Sequence, residues 1–293
     1  MISNENLYLR NWVEYNKNLG FDNIIVVDNA PDVGGDYPQY VVGDYISDGF
    51  VIYENRRQVT PNVLCMQEIT FTEMYDKYHE QFDYIGYFDV DEFLTFTPES
   101  GFKNVKEYLT SKYVMNAEQI KINWKVYNDN DLVHYDSRPV YERFINPTEP
   151  IDAPDEPSGD YPINGSSKLI INCNLTSIAD FICTKSPHIC TTEHIGMDDF
   201  ICVNNSGRLV DFRYGVIPID HSIAYLRHYR TLTIEEFLYR RFTRGNNDVR
   251  GVYHNKLKLI KMFASENEIT EEKKEIIESF FRNAGKKYGK MKK

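Results

Sequence analysis

Apolar positions near the start of the chain recur with a helical period. Tyr8, Trp12, Tyr15 and Leu19 follow one another at spacings of four, three and four, which predicts a helix with one apolar face. Gly20 comes next, where a C-cap belongs. The pattern then changes: "NIIVVDNA" holds an unbroken apolar run over residues 24–27 that ends at Asp28, the mark of a short buried strand. "FVIYEN" repeats it. A helix is predicted over about residues 62–79, with Pro61 at its start. "YIGYFDVDEFL" follows as a strand that runs into a cluster of acids. Further along, "NVKEYL" predicts a helix and "AEQIKINWKVY" a strand, and "KLIINC" and "RLVDFRYG" predict two more strands. "TIEEFLYRRFTRG" opens with a capping box, Thr233 with Glu236, and ends on Gly245. The last forty residues form a helical tail with Ile276, Ile277, Phe280 and Phe281 among its apolar positions.

Helix, strand, strand, helix, strand, with strands of the fully buried kind, places the chain in the α/β class, with helices on both faces of the sheet. In such sheets ligands sit at the carboxyl ends of the strands. Asp28 and the Asp89/Asp91 pair both fall there. An α/β domain usually opens with a strand, whereas only "MIS" precedes the first helix, so the first strand is expected to be absent or reduced to a stub. Residues 146–167 hold five of the twelve prolines and no periodic pattern, which makes them a long loop. The expected organisation is one domain over residues 1–245 and a helical tail over 246–293.

Charge narrows the partners. With 33 basic against 44 acidic residues the net charge is −11, which argues against nucleic acid. No run approaches a membrane span and the start lacks a secretory signal, so a soluble cytoplasmic protein is expected. The five cysteines, Cys65, Cys173, Cys183, Cys190 and Cys202, include no C-x-x-C pair. They read as reduced thiols rather than as a zinc site completed by His188 or His194.

The acids carry the chemistry. In a strand-to-loop D-x-D, alternate side chains point the same way, so Asp89 and Asp91 can face one site. Two carboxylates half-satisfy Mg²⁺ or Mn²⁺ and leave room for substrate phosphates. A cation there neutralises charge on a departing diphosphate, as a nucleotide-sugar donor requires. The competing reading is a solvated strand end.

Several blocks together resemble a known group. "NENLYLRNWVEYNKNLGFDNIIVVDN", "YIGYFDVDEFL", "INWKVY", "RPVYERF" and "LRHYRTLTIEEFLYRRFTRG" stand in the order seen in glycosyltransferases of the family-2-like and family-92 type, and cover residues 4 to about 245. The resemblance implies a GT-A fold, a nucleotide-sugar donor (UDP-linked hexose), a divalent Mn²⁺ or Mg²⁺, a glycan acceptor and an inverting reaction. It also implies a setting in surface polysaccharide or lipopolysaccharide synthesis.

Carried onto this chain, Asp89 and Asp91 are the metal-binding pair, with Asp89 also near the donor ribose, and Glu92 orients the loop or faces the acceptor. Asp28 lies near the nucleobase or ribose, and Asn4, Glu5 and Gln67 line the donor pocket. His228 is the third metal ligand, with His221 as its competitor. The general base is placed at Asp198 or Asp199, ahead of Asp129 and Asp131. Arg56, Arg57 and Lys168 could bind diphosphate or be simple surface charges. Trp12 reads as core, and Trp124 as core or a sugar-stacking ring. The segment after Trp124, "KVYNDNDL", departs from the Phe-Gly of relatives, which leaves the acceptor side open. The Lys-rich end could touch anionic lipid at the membrane face. Two rivals stand beside this reading: a nucleotide-handling transferase, which lacks its glycine-rich phosphate loop here, and a non-catalytic carbohydrate-binding protein.

Overall fold

The computed structural model describes residues 1–30, 36–57, 66–148, 163–176, 200–243 and 256–289. Asp198, Asp199, His188, His194, Cys65, Cys183, Cys190, Pro61, most of the 146–167 loop, the 245/246 boundary and the lysines at the very end lie outside these residues. The chain divides into two compact units, one of residues 1–126 and 149–228, the other of 127–148 and 229–293.

The first unit is an α/β layer structure of the GT-A type, a mixed sheet flanked by helices. Helix α1 (Asn6–Leu19) buries Tyr8, Leu9, Trp12 and Val13 on one face. It stops at Gly20, whose φ of +97° suits a residue without Cβ and lets the next amides close on the last carbonyls. Strand β1 (Ile24–Asp28) leads to helix α2 (Gln39–Ser47), strand β2 (Val51–Asn55) and helix α3 (Met66–Tyr78). Helix α2 was not foreseen from the sequence. Its one buried side chain is Val42, so it carries no apolar stripe to read.

Strands β1 and β2 pair in parallel, from Ile24 opposite Val51 to Asp28 opposite Asn55. Ile2 makes a single parallel bridge to Asp28, its amide donating to the Val27 carbonyl at 2.8 Å. The expected opening strand is therefore a one-residue stub in this structure.

Strands β3 (Tyr84–Tyr87) and β4 (Glu92–Phe96), helix α4 (Val105–Leu109) and strands β5 (Gln119–Val126), β6 (Ser167–Asn172), β7 (Cys202–Asn204) and β8 (Ala224–His228) build a second sheet. Its order is β3-β6-β5-β8-β4, with β7 beside the first half of β5. Strands β7 and β8 both run parallel to β5 on successive halves of it, and the β3–β6, β5–β6 and β4–β8 pairs are antiparallel. Leu94, Ile120, Ile122, Ile170 and Leu226 are fully buried or nearly so against Val105 and Tyr108 of α4. The side chain of Asn104 caps α4 by accepting from the Glu107 amide at 2.9 Å.

One expected strand is corrected. "RLVDFRYG" contributes only an isolated bridge, Leu209 to Val203, and the strand is β7 just before it. The ammonium of buried Lys121 takes the carbonyls of Asp211, Phe212 and Tyr214, and Asp211 binds back to the Arg213 amide at 2.9 Å. Backbone groups committed to that turn are lost to a ladder.

The second unit contains helices α5 (Val140–Arg143), α6 (Ile234–Thr243), α7 (Lys256–Ala264) and α8 (Glu271–Gly289). Ile234, Phe237, Leu238, Phe263 and Ile277 form its core, with Ile276, Phe280 and Phe281 partly buried against it. The capping box foreseen at the start of α6 is present: Thr233 Oγ1 accepts from the Glu236 amide at 3.2 Å, and Glu236 accepts from the Thr233 amide at 3.3 Å.

Candidate active site

Tyr87 ends β3 and Glu92 begins β4, so Asp89 and Asp91 sit on the four-residue turn between them, at the carboxyl end of β3. The turn closes on itself. The Glu92 amide donates to the Asp89 carbonyl at 3.0 Å, and the Asp89 amide donates to Glu92 Oε2 at 2.9 Å. Trp12 is core, as its position on α1 indicated, and its indole N–H anchors the start of β4 through the Glu92 carbonyl at 2.8 Å. Glu92 is fully buried and orients the turn from within. Burial, together with the charges of Asp89 and Asp91, raises its pKa well above the carboxylate range.

Register explains who meets these acids. Tyr87 pairs with Leu169, so the residue before Leu169 on antiparallel β6 reaches past the end of β3. That residue is Lys168. Its Nζ lies 2.7 Å from Asp89 Oδ2 and 3.7 Å from Glu92 Oε1. The lysine side chain is 1% exposed and that of Asp89 is 35% exposed. Burial alone would raise the Asp89 pKa, but the ammonium outweighs it and holds the carboxyl below its ordinary value. Burial alone would likewise lower Lys168, and the carboxylates of Asp89 and Glu92 raise it instead. Gln67, on α3, donates to the other Asp89 oxygen at 3.2 Å.

On the far side, Glu92 of β4 pairs with His228, the last residue of β8. This brings His228 Nε2 to 3.9 Å from Asp91 Oδ1. Trp124, on β5, packs its ring on the imidazole with centroids 4.2 Å apart. His221, the competitor, instead bonds through Nε2 to the Trp124 carbonyl at 2.9 Å. The structure thus brings Gln67, Asp89, Asp91, Glu92, Lys168 and His228 together.

The other expected donor-side residues gather at the end of β1. Asp28 is fully buried and saturated: Tyr53 O–H donates at 2.8 Å, Arg57 Nε at 2.7 Å and the Ala30 amide at 3.0 Å. The Arg57 guanidinium lies 4.0 Å over the ring of Tyr37. Asn4 adopts φ +56° and accepts from the Asp36 amide at 2.9 Å, and Glu5 is buried beside it at the start of α1. Arg56 is ion-paired with Glu73. Tyr37 and Tyr53 escaped sequence reasoning, since lone tyrosines in a chain with 22 of them carry no signal.

Asp129 belongs to the second unit, where it is buried against Lys273, their charged atoms 2.6 Å apart, and accepts from the Asp131 amide at 3.0 Å. Both thiols among the described residues are inert. Burial pushes Cys173 up to about 11 and Cys202 up to about 12.

A divalent cation can be tested against this donor set. Among the described residues no three His, Cys, Asp or Glu side chains converge as a complete cage. Asp91 and His228, one hard oxygen and one imidazole nitrogen 3.9 Å apart, fit a cation that takes its remaining ligands from water and substrate phosphates, as Mg²⁺ and Mn²⁺ sites commonly do. Asp89 would enter such a site with Lys168 on one oxygen and Gln67 on the other.

The family model for glycosyltransferase family 92 matches residues 2–280. The chain belongs to glycosyltransferase family 92. It is therefore a glycosyltransferase, with a sugar donor and an acceptor as its substrates. A search of curated proteins found no match. The family 92 match spans both units and every residue of the acidic turn. Among the described residues of this family 92 chain, no helix is long and apolar enough to cross a membrane.

Proposed function

We propose that this glycosyltransferase moves a hexose from a UDP-sugar to a glycan hydroxyl with inversion, in surface polysaccharide or lipopolysaccharide synthesis, and that it needs a divalent cation. The observation that carries the metal-dependent reading is the register of β3, β4, β6 and β8, which puts two carboxylates, a lysine and a histidine around one turn at a strand's carboxyl end. Glycosyl transfer from a nucleoside diphosphate needs positive charge where the leaving diphosphate gathers negative charge. Asp91 and His228 would hold the cation, which when bound supplies that neutralisation.

The remaining roles fall to the chain's own groups. Glu92 fixes the turn so that Asp91 stays aimed outward. Lys168 offsets the charge of Asp89, keeping the acids from repelling one another before substrate arrives. Trp124, packed at a tilt against His228, holds the imidazole in place. At the end of β1, Arg57 is buried between Asp28 and the ring of Tyr37, and the half-exposed Tyr37 ring would meet a nucleoside. Asp198 and Asp199 remain the proposed source of the base that takes the acceptor's proton.

The test is a thermal-shift titration with UDP, GDP and CMP, each with and without Mn²⁺. A nucleotide at 100 times its Kd should add about 2.7 kcal/mol of stability. Stabilisation by UDP that requires Mn²⁺ and disappears in Asp91→Ala is the expected result. No shift with any nucleotide and metal would overturn the reading and turn attention to glycan binding without catalysis.

A further inference from the structure

The chain passes from the first unit to the second just after Val126 and again just after His228. These two residues end β5 and β8 and are partners in the parallel register. Both crossings leave from beside the candidate metal site. Trp124 stands two residues before the end of β5, and His228 is itself the end of β8. The residues just beyond each crossing therefore bear on how firmly those two side chains are fixed.

Within the second unit, one side chain reaches both of these segments. Asn267 lies between α7 and α8 and is 8% exposed. Its Oδ1 accepts from the Asp129 amide at 2.6 Å, three residues beyond Val126. Its Nδ2 donates to Thr231 Oγ1 at 3.0 Å, three residues beyond His228, and to the Phe263 carbonyl at 3.0 Å. The neighbours fix the orientation of this carboxamide, since the Asp129 N–H needs the oxygen and the Phe263 carbonyl needs the nitrogen. Thr231 is fully buried and donates its own proton to Glu266 Oε2 at 3.1 Å, which leaves a lone pair for Asn267. Glu266 also takes Arg230, at 2.6 Å.

The backbone of both segments is held in an uncommon form. Leu232 has φ +57° and is 2% exposed, and Asn130 and Asp131 have φ +50° and +59°. The left-handed region disfavours a bulky side chain and persists where the surroundings impose it. Lys273 adds to the hold through Asp129, at 2.6 Å. A carboxamide accepts and donates from one short planar group, so neither Asp nor Leu can replace Asn267 in both bonds.

We propose that Asn267 is a positioning residue for the candidate metal site: by joining the segment that leaves β5 to the segment that leaves β8, it fixes where Trp124 and His228 stand. The link runs along the chain, through residues 127–128 on one side and 229–230 on the other. It rests on the reading of His228 as a metal ligand. Losing a group that orients a metal ligand costs about 10–100-fold in metal affinity.

The test compares Asn267→Leu, which keeps the size of the side chain and removes both bonds, with Ile277→Ala, which lowers stability from the core of the same unit. Each variant is read by urea denaturation, by Mn²⁺ binding to the nucleotide-free protein, and by fluorine NMR of the fluorotryptophan-labelled chain, in which Trp12 and Trp124 give separate lines. Asn267→Leu should weaken Mn²⁺ binding by about tenfold or more. It should also shift or broaden the Trp124 line while the Trp12 line stays. Ile277→Ala should lose stability yet leave the Mn²⁺ affinity and both lines as they are. Thr231→Val breaks only the side of the tie next to β8; it should act in the same direction and more weakly, and it gives a second reading if Asn267→Leu does not fold. Unchanged Mn²⁺ affinity and an unchanged Trp124 line in the folded variants of Asn267 and Thr231 would overturn the proposal, as would equal effects from Ile277→Ala. If the parent chain binds no Mn²⁺, it is the metal reading that fails, and the Trp124 line alone decides whether Asn267 positions the strand ends.

Discussion

Lys168 is the residue on which the acidic turn depends. Its side chain is 1% exposed and its ammonium lies between Asp89 and Glu92, so a neutral replacement leaves the Asp89 charge without its partner in a poorly hydrated place. Breaking a fully buried pair costs about 3–5 kcal/mol. Asp89 is 35% exposed, so Lys168→Met should cost less, about 2–3 kcal/mol in urea denaturation. The double variant Lys168→Met/Asp89→Asn should recover part of that loss. Costs that simply add would show that the two groups are not coupled. Sequence announced the acids, because D-x-D-E at the end of an apolar run is conspicuous. It left the lysine ambiguous, because its approach depends on β6 lying antiparallel to β3 with Leu169 opposite Tyr87, a long-range register that no local pattern encodes.

Glu236 joins two functions at the level of the element. It closes the capping box of α6 with Thr233 and also receives Arg143 in a two-pronged bond, at 2.9 Å to each oxygen. Both side chains of that ion pair are essentially buried. Thr233→Ala should cost about 1 kcal/mol, the ordinary price of a lost cap. Glu236→Ala, which also strands a buried guanidinium, should cost about 3–5 kcal/mol by the same denaturation measurement. Equal costs would mean that Arg143 contributes nothing. The box was legible because Thr-x-x-Glu before an apolar run is a local signal. Strands β7 and β8 were not. Each is short, three and five residues, and each owes its extended form to distant partners, β7 to β5 and β8 to β4 and β5, more than eighty residues earlier in the chain.

At the scale of the molecule, acid should weaken the fold on a slope to which His221 contributes. Burial holds the His221 pKa below its ordinary value, and its bond to the Trp124 carbonyl only partly offsets that. The unfolded chain then binds more protons than the native one at pH values just under about 6.5, so stability rises with pH through that window and falls as pH drops through it. His221→Gln should flatten this part of the profile, read as ΔG of unfolding against pH between about 5 and 7. An unchanged slope in the variant would assign the effect to other groups. The α/β class and the carboxyl-end placement of the acids followed from strand composition and order alone. The division of the chain did not, because residues 127–148 join residues 229–293 across a long stretch of sequence.

That interrupted second unit has a consequence for biosynthesis. Its first segment leaves the ribosome about eighty residues before its second begins, a delay of roughly 4–16 s at typical elongation rates of about 5–20 residues per second. Throughout that interval Asp129 and Arg143 are without Lys273 and Glu236, the partners that bury with them in the finished fold. The nascent chain therefore carries an unassembled stretch through the middle of its own translation, with apolar Phe144 exposed until Tyr229 of the later segment arrives to pack on it.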